Sequence, residues 1–438
     1  MKPTQFARLM GACIALSPLP AFAATSPVVV PVGPTAVLVP TDPAISSAVD
    51  TFYAQHRAAP LWLKGGAAGP AALSLLQILR RAPLDGLSSG PQLADEISVA
   101  LASVTSPAAT AKAERLMSVA WLRYVAALHA PAPGMTYFDP RLAPRNPAPG
   151  YVLEQAARAP SLVDHLAAIA AVSPLYAELR DAAWAQAQAS GTSLPDPRIM
   201  ANLDRLRALP ASGRFVLVDA ATQQLSMVEN GRVVDRMKIV VGRPDAQTPM
   251  VASTIWYATF NPYWNIPSDL GRKLIAPHVI KQGTSWLTKN GYQVIADWDD
   301  PQILPARSVN WKGVLAGTTE VKLRELPGTA NSMGGVKFGF GNPQGVYLHD
   351  TNNRALFAKE QRTLSNGCVR LEDATRLGKW MAGAELKAPS TDPELHVRLP
   401  QGVPVYLTYL TAHAANGQVT LSNDVYHRDN ATGRMASR

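Results

Sequence analysis

Apolar residues in the first half of the chain recur at helical spacing. Met117, Trp121, Tyr124 and Leu128 stand at i, i+4, i+7 and i+11, which predicts a helix that buries all four. Leu73, Leu76 and Leu79, three residues apart, suggest a second buried stripe. The stretch 46–209 is alanine-rich and reads as helical throughout. Proline and glycine clusters at 82–91, 131–150 and 191–197 divide it into separate helices, without an exact internal repeat. Aromatic residues at this spacing belong to a packed core, so this half reads as a scaffold without chemistry of its own.

Near Pro210 the period shortens to two. Phe215 to Asp219 predicts a strand, and Gln224 to Glu229 and Arg232 to Val241 flank Asn230-Gly231, the signature of a type I′ hairpin turn. Val233, Met237, Ile239 and Val241 would share one face, with Arg236 and Lys238 on the other. Thr254 to Phe260 leads into the stretch NPYWNIP, after which Ser268 can cap a helix through about Ile280. Residues 281–335 are turn-rich and irregular, with Trp286, Trp298 and Trp311 dispersed. An insertion of that length between strands (268–335 in all) is expected to be a lid or a specificity element. Strand pattern returns at Val336 to Phe340 and Val346 to His349. Asp373 can cap a short helix with Leu377, Trp380 and Met381 on one face; Val403 to Leu410 and Gln418 to Leu421 are the last strands.

The start of the chain changes the picture of where this fold works. Lys2 and Arg8 precede a short apolar run that ends at Ala21-Phe22-Ala23, a small-x-small pattern of an export signal cleaved after Ala23. A lipobox reading at Cys13 is weaker, because almost no apolar stretch precedes that cysteine. Residues 24–45, rich in Pro, Val and Thr, read as a linker. No second apolar stretch is long enough to span a membrane. The formal charge is +9, and removal of Lys2 and Arg8 leaves +7, a balance suited to anionic envelope polymers or membrane surfaces. Nucleic acid is not expected, because no dense Lys/Arg run carries interleaved aromatics.

Cleavage would also leave one thiol of the two, Cys368, so no internal disulfide can form. His349 lies nineteen positions upstream, at the end of a predicted strand, and the intervening loop carries Arg354, Lys359 and Arg362. Such a loop can bring the chain back beside that strand and set thiol and imidazole together. A free thiol with a pKa near ~8.5 is only about 3% thiolate at pH 7, so an adjacent base has a clear purpose. Gly367, directly before the thiol, permits a sharp turn and accessible backbone N–H groups, which suit an oxyanion hole. Arg370 would share the side of Cys368 and could bind a substrate carboxylate, or simply pair with Glu372. Asp350 directly follows His349 and so faces the other way; it is expected to cap the loop, leaving a backbone carbonyl to orient the imidazole. No metal or other cofactor is expected: there is no HExxH, and one cysteine makes no zinc cluster. The glycine-rich FGFGNPQG does not match a phosphate loop.

Tyr347-Leu348-His349-Asp350 followed by Ser365-Asn366-Gly367-Cys368-Val369-Arg370 resembles the catalytic motif of the L,D-transpeptidases (the YkuD domain). The stretches VVGRPDAQTPM, NPYWNIP, GGVKFGF and VPVYLTYL extend the resemblance over roughly 210–412. FYAQHRAAPLWL and LLQILRRAPLDGL resemble the helical domain of the larger, scaffold-bearing (YcbB-like) branch. One departure is Asn366, where the family usually has histidine. The resemblance implies an α+β multidomain protein: a helical scaffold domain at 46–209, a mainly-β catalytic domain at 210–412 with 268–335 as a capping insertion, and a C-terminal strand and tail at 413–438. It implies Cys368 as nucleophile toward an L-centre of a peptidoglycan stem peptide, His349 as general base and then acid, and an oxyanion site at Gly367. Arg370, Ser365, Asn366, Tyr347 and Trp264 are the implied substrate contacts. The implied partners are donor and acceptor stem peptides and, as inhibitors, carbapenem-type β-lactams; a periplasmic monomer without metal is expected. A papain-like protease would place cysteine before histidine, against the order here. A hydrolase using the same acyl-enzyme and a wall-binding scaffold with an inert thiol would both carry the same residues.

Overall fold

A computed structural model of the chain describes residues 42–429 apart from 57–59, 65–66 and 193–195. The export signal, Cys13 and most of the predicted linker lie outside the described residues, as do residues 430–438. Among the described residues eight helices make up the first half: α1 (Asp42–Gln55), α2 (Pro70–Arg81), α3 (Gly90–Ala102), α4 (Pro107–Leu128), α5 (Pro149–Arg158), α6 (Leu162–Ala171), α7 (Pro174–Ser190) and α8 (Pro197–Arg207). The helix α1 begins inside the stretch read as linker. Serine hydroxyls at positions 106, 161 and 173 cap α4, α6 and α7 by accepting backbone N–H groups of Ala109, Asp164 and Tyr176, which fixes where each helix starts.

The helix α4 buries Met117, Trp121, Tyr124 and Leu128, as the spacing predicts. In α2 the expected stripe fails, because Leu73 is 54% exposed and the buried residues are Ala72, Leu75, Leu76, Ile78 and Leu79. Three-residue steps drift backward by about 60° each on a helix of 3.6 residues per turn, so Leu73 and Leu79 cannot share one stripe. Glu114 on α4 closes the intervening loop, its carboxylate accepting the N–H groups of Leu61 (2.9 Å), Trp62 (2.9 Å) and Leu63 (2.5 Å). One short strand reaches across to the other half. This strand, β1 (Thr136–Tyr137), pairs in parallel with Val251 and Ala252, so the helical half adds a strand to the sheet of the second half. Two residues carry no periodicity, and the sequence pattern missed them.

The second half is built on β2 (Arg214–Asp219), β3 (Gln224–Glu229), β4 (Arg232–Gly242) and β5 (Val251–Phe260), close to the predicted bounds. Asn230 and Gly231 both have positive φ (49° and 74°), as a type I′ turn requires. The insertion follows, with its own three-stranded sheet of β6 (Trp264–Ile266), β7 (Tyr292–Ile295) and β8 (Lys322–Glu325) around a small core of Leu270, Val279, Val294, Trp311 and Leu323. It is therefore a packed subdomain and not the irregular stretch its turn-rich sequence suggests. Ser268 opens the first helical turn instead of capping it, and a π turn at Gly271–Ile275 interrupts the expected helix.

The chain then returns through β9 (Val336–Phe340), β10 (Leu348–His349), β11 (Thr363–Ser365), β12 (Val369–Leu371), β13 (Leu395–Thr408), β14 (Ala412–Ala415) and β15 (Gln418–Leu421). The order β9-β10-β12-β4-β3-β2-β13-β5, with β5 pairing back to β9, closes the main sheet on itself. Alternate residues of these strands, among them Val216, Met227, Ile239, Ile255, Phe338, Leu348, Val369 and Val405, fill the interior. The helix Ala374–Ala382, capped by Asp373 as expected, contributes Leu377 and Met381 to that core. Trp380 sits at its edge with Arg214 over the ring.

Candidate active site

The parallel strands β10 and β12 place Leu348 level with Val369 and His349 level with Arg370. Level residues of paired strands face the same side of a sheet, and successive residues alternate. Leu348, Val369 and Leu371 point into the core, so His349 and Arg370 share the opposite face; Cys368, just before β12, is half-buried at the edge of that core, within electrostatic reach of Tyr347 and Arg370. The rings of Tyr347 and His349 lie edge to face with centroids 6.4 Å apart. The loop between the strands thus does what its length allows: it returns the chain, directly after Cys368, to a strand paired with the one that ends at His349.

His349 is 4% exposed, and its Nδ1 stands 2.6 Å from the Asp350 carbonyl oxygen. A carbonyl only accepts, so Nδ1 carries the ring proton and Nε2 keeps its lone pair. The orienting group is a backbone carbonyl. The Asp350 carboxylate caps the loop, accepting the Gly335 N–H (2.9 Å) and pairing with Arg354 (2.5 Å). Burial, with the neighbouring Arg370 cation, lowers the His349 pKa to about 4, against an opposing pull from the Asp350 and Met333 carbonyls. Burial pushes the half-buried Cys368 thiol up, while the Tyr347 N–H and the Arg370 charge pull it down. At neutral pH both groups are therefore uncharged, and the site holds no preformed thiolate–imidazolium pair.

The turn before Cys368 is tied from within. Ser365 is 2% exposed; its hydroxyl donates to the Cys368 carbonyl (2.5 Å) and accepts the Gly367 N–H (3.1 Å). It therefore braces the turn and does not face the cleft. Gly367 has φ +116°, a region that residues with a Cβ rarely enter, so glycine is required here for the turn. Because the Gly367 N–H is engaged by Ser365, the backbone donors left near the sulfur are the Tyr347 N–H and the N–H of Cys368 itself. The Gly367 carbonyl accepts from Thr248 Oγ1 (2.8 Å), which in turn accepts the Gly242 N–H (2.9 Å). A Cβ on Gly242 would stand 2.1 Å from the Ala246 carbonyl, so the loop 243–248 can pack here only against glycine.

Asn366 is exposed, and its Oδ1 accepts from Arg243 (2.6 Å), which also pairs with Asp245 (3.0 Å). Among the described residues Arg370 makes no ion pair, and its Nε is buried without an acceptor. The pairing with Glu372 that the sequence allowed is not made, because Glu372 accepts the Lys238 backbone N–H instead (3.0 Å). Trp264 lies in the insertion's sheet, apart from the strands that carry Cys368 and His349. Lys337, unnoticed in the sequence, is level with His349 across β9 and β10, and its Nζ pairs with Glu394 (3.0 Å). Its alternation against buried Val336 and Phe338 was the available signal. Among the described residues no cluster of three His, Cys, Asp or Glu side chains could hold a metal ion. A cavity of about 800 Å³ lies between the helical and β halves, lined by Leu128, Ile169, Arg207 and Tyr406, and none of the residues above borders it.

Both halves of the chain resemble known proteins. Residues 213–406 match the L,D-transpeptidase catalytic domain, YkuD, and residues 47–182 match a scaffold domain. A Haemophilus influenzae protein provisionally assigned as an L,D-transpeptidase is 24% identical over 275 residues, 61% of this chain and 55% of that protein. The chain thus spans about half the length of that relative. An L,D-transpeptidase from Mycobacterium smegmatis aligns at 13% identity over 45% of this chain and 59% of that one, with a TM-score of 0.23. L,D-transpeptidase 3 from Mycobacterium tuberculosis, solved with a faropenem-derived adduct, aligns at 11% over 45% and 60%, also with a TM-score of 0.23.

Proposed function

Because the chain belongs to the L,D-transpeptidases, through a YkuD catalytic domain carried behind a scaffold domain, we propose that it cross-links peptidoglycan through a Cys368 thioester. The observation that supports this reading is the pairing of the strand that ends at His349 with the strand that begins directly after Cys368, with His349 held by the Asp350 carbonyl in the tautomer whose Nε2 is basic.

In the first step Nε2 takes the thiol proton while the sulfur attacks the carbonyl carbon of an L-centre in a stem peptide. The Cys368 N–H donates to the oxyanion. Collapse breaks the amide bond, the proton on Nε2 passes to the departing amine of the D-residue, and a thioester remains. An amine of a second stem, such as the diaminopimelate side chain, then attacks the thioester and yields its proton to Nε2. The new amide forms, and the thiol is regenerated. Arg370, unpaired at the edge of the site, binds a carboxylate of the stem, with Asn366 and Tyr347 beside it. The buried, braced Ser365 is left out of this set. A β-lactam, being a strained amide, acylates the same sulfur, which makes carbapenems inhibitors. The protein acts after export, in the periplasm, where its basic charge draws it to the wall.

The test is incubation with defined muropeptides and mass analysis of the products. Dimers joined through an L-centre, at stem position three or one, are expected from the wild type and not from Cys368→Ala. Shortened monomers alone would show that water resolves the acyl-enzyme, and dimers formed by Cys368→Ala would refute the mechanism.

A further inference from the structure

The last described residues return to the nucleophile. After β15, the segment Asp424–Asp429 runs back over the loop 243–248. Tyr426, 3% exposed, donates its hydroxyl to the Gly242 carbonyl (2.5 Å) and stacks on Tyr409 with ring centroids 5.0 Å apart. Its carbonyl accepts from Gln247 Nε2 (3.2 Å). Arg428 donates to Gln247 Oε1 (3.0 Å) and to the Thr248 carbonyl (3.0 Å). At its far end the segment is fastened to α8, where Arg205 pairs with Asp429 (2.6 Å) and donates to the Arg428 carbonyl (2.6 Å).

Of the residues this strap holds, Gly242 and Thr248 are the ones that also fix the nucleophile turn. Tyr426 takes the carbonyl of Gly242, the N–H of Gly242 goes to Thr248 Oγ1, and that hydroxyl donates to the Gly367 carbonyl. Thr248 is wholly buried, so no water can take over these bonds. The Gly367 carbonyl and the Cys368 N–H belong to one planar trans peptide unit and point in opposite directions. Gly367 has no side chain to limit rotation of that plane, and its φ of +116° lies where the backbone is permissive only for glycine. Anchoring the carbonyl inward on Thr248 is therefore what aims the Cys368 N–H outward.

We propose that Tyr426 and Thr248 are positioning residues for the oxyanion donor, and that the strap 424–429 makes helix α8 part of the support of the active site. The inference rests on the reading of Cys368 as an acylated nucleophile. It predicts a particular asymmetry. Acylation passes through a tetrahedral oxyanion and needs the aimed N–H; alkylation by iodoacetamide is a direct displacement at carbon and does not.

The experiment compares wild type, Tyr426→Phe, Thr248→Val and Thr248→Ser in two reactions at Cys368: acylation by imipenem and alkylation by iodoacetamide, each followed by intact mass. Tyr426→Phe keeps the ring stack and loses only the hydroxyl. Loss of one oxyanion donor costs about 10²–10³-fold in a serine protease, so a donor left in place but poorly aimed should slow acylation roughly 10-fold or more. Alkylation should stay within about twofold of wild type, and Thr248→Ser should recover most of the acylation rate. Two results would overturn the inference: unchanged acylation in both Tyr426→Phe and Thr248→Val, or a parallel fall of acylation and alkylation, which would assign the strap to folding alone. A wild type that is alkylated but never acylated would instead overturn the functional reading beneath it.

Discussion

His349 should make the fold acid-sensitive by a predictable amount. Its pKa is about 4 in the folded protein, against an ordinary value of 6.5. Between those values the unfolded chain binds the proton and the folded one does not, so the stabilisation is complete above pH 6.5 and is lost as pH falls toward 4. At roughly 1.4 kcal/mol per pH unit of separation the full loss is about 3 kcal/mol, of which about 2 kcal/mol has gone by pH 5. Carboxylates elsewhere also respond to acid, so the comparison must be with a variant that lacks only this group. Urea unfolding of wild type and His349→Gln at pH 7, 6 and 5 isolates it. The wild type should lose about 2 kcal/mol more than the variant over that range, whatever their stabilities at pH 7. Equal losses would mean that His349 titrates normally in the folded state, and the buried neutral imidazole would be wrong.

The same imidazole sets the acid limb of acylation. With carbapenem as the probe, the rate should fall half-way near pH 4 and not near 6.5; a limb at 6.5 would point to an exposed or ion-paired histidine. Arg370→Gln removes an unpaired cation, and loss of a charged hydrogen bond of about 1.5–3 kcal/mol should lower kcat/KM for stem peptides about 10- to 100-fold. Unchanged kcat/KM would remove Arg370 from substrate binding. In the helical half, Glu114→Ala strands the N–H groups of Leu61, Trp62 and Leu63. It should cost at least ~3 kcal/mol in denaturant unfolding, where a cost under about 1 kcal/mol would show that the loop can re-satisfy them.

Much of the fold was legible in the residues because the signals were local. The Asn230-Gly231 hairpin, the Asp373 cap and the face of α4 follow from spacing and turn chemistry alone. The return of the chain from His349 to an adjacent strand just after Cys368 was legible because the loop between them is short. What stayed hidden depends on partners distant in sequence. Ser365 looks like a cleft residue until its hydroxyl is seen between Gly367 and Cys368, and Gly367 looks like an oxyanion donor until Ser365 takes its N–H. Thr248 and Tyr426 lie 119 and 184 positions from the backbone groups they hold, and no periodicity marks either one. The stripe on α2 misled for a different reason: three leucines at equal spacing do not match the helical repeat.

The central claim is that Cys368 forms an acyl-enzyme with His349 as its base, and intact-protein mass spectrometry after exposure to imipenem tests it most directly. The wild type should gain one drug-derived adduct that maps to the peptide containing Cys368. His349→Ala should gain it far more slowly, and Cys368→Ala should gain none. An unmodified wild type, or an adduct that persists in Cys368→Ala, would contradict the account.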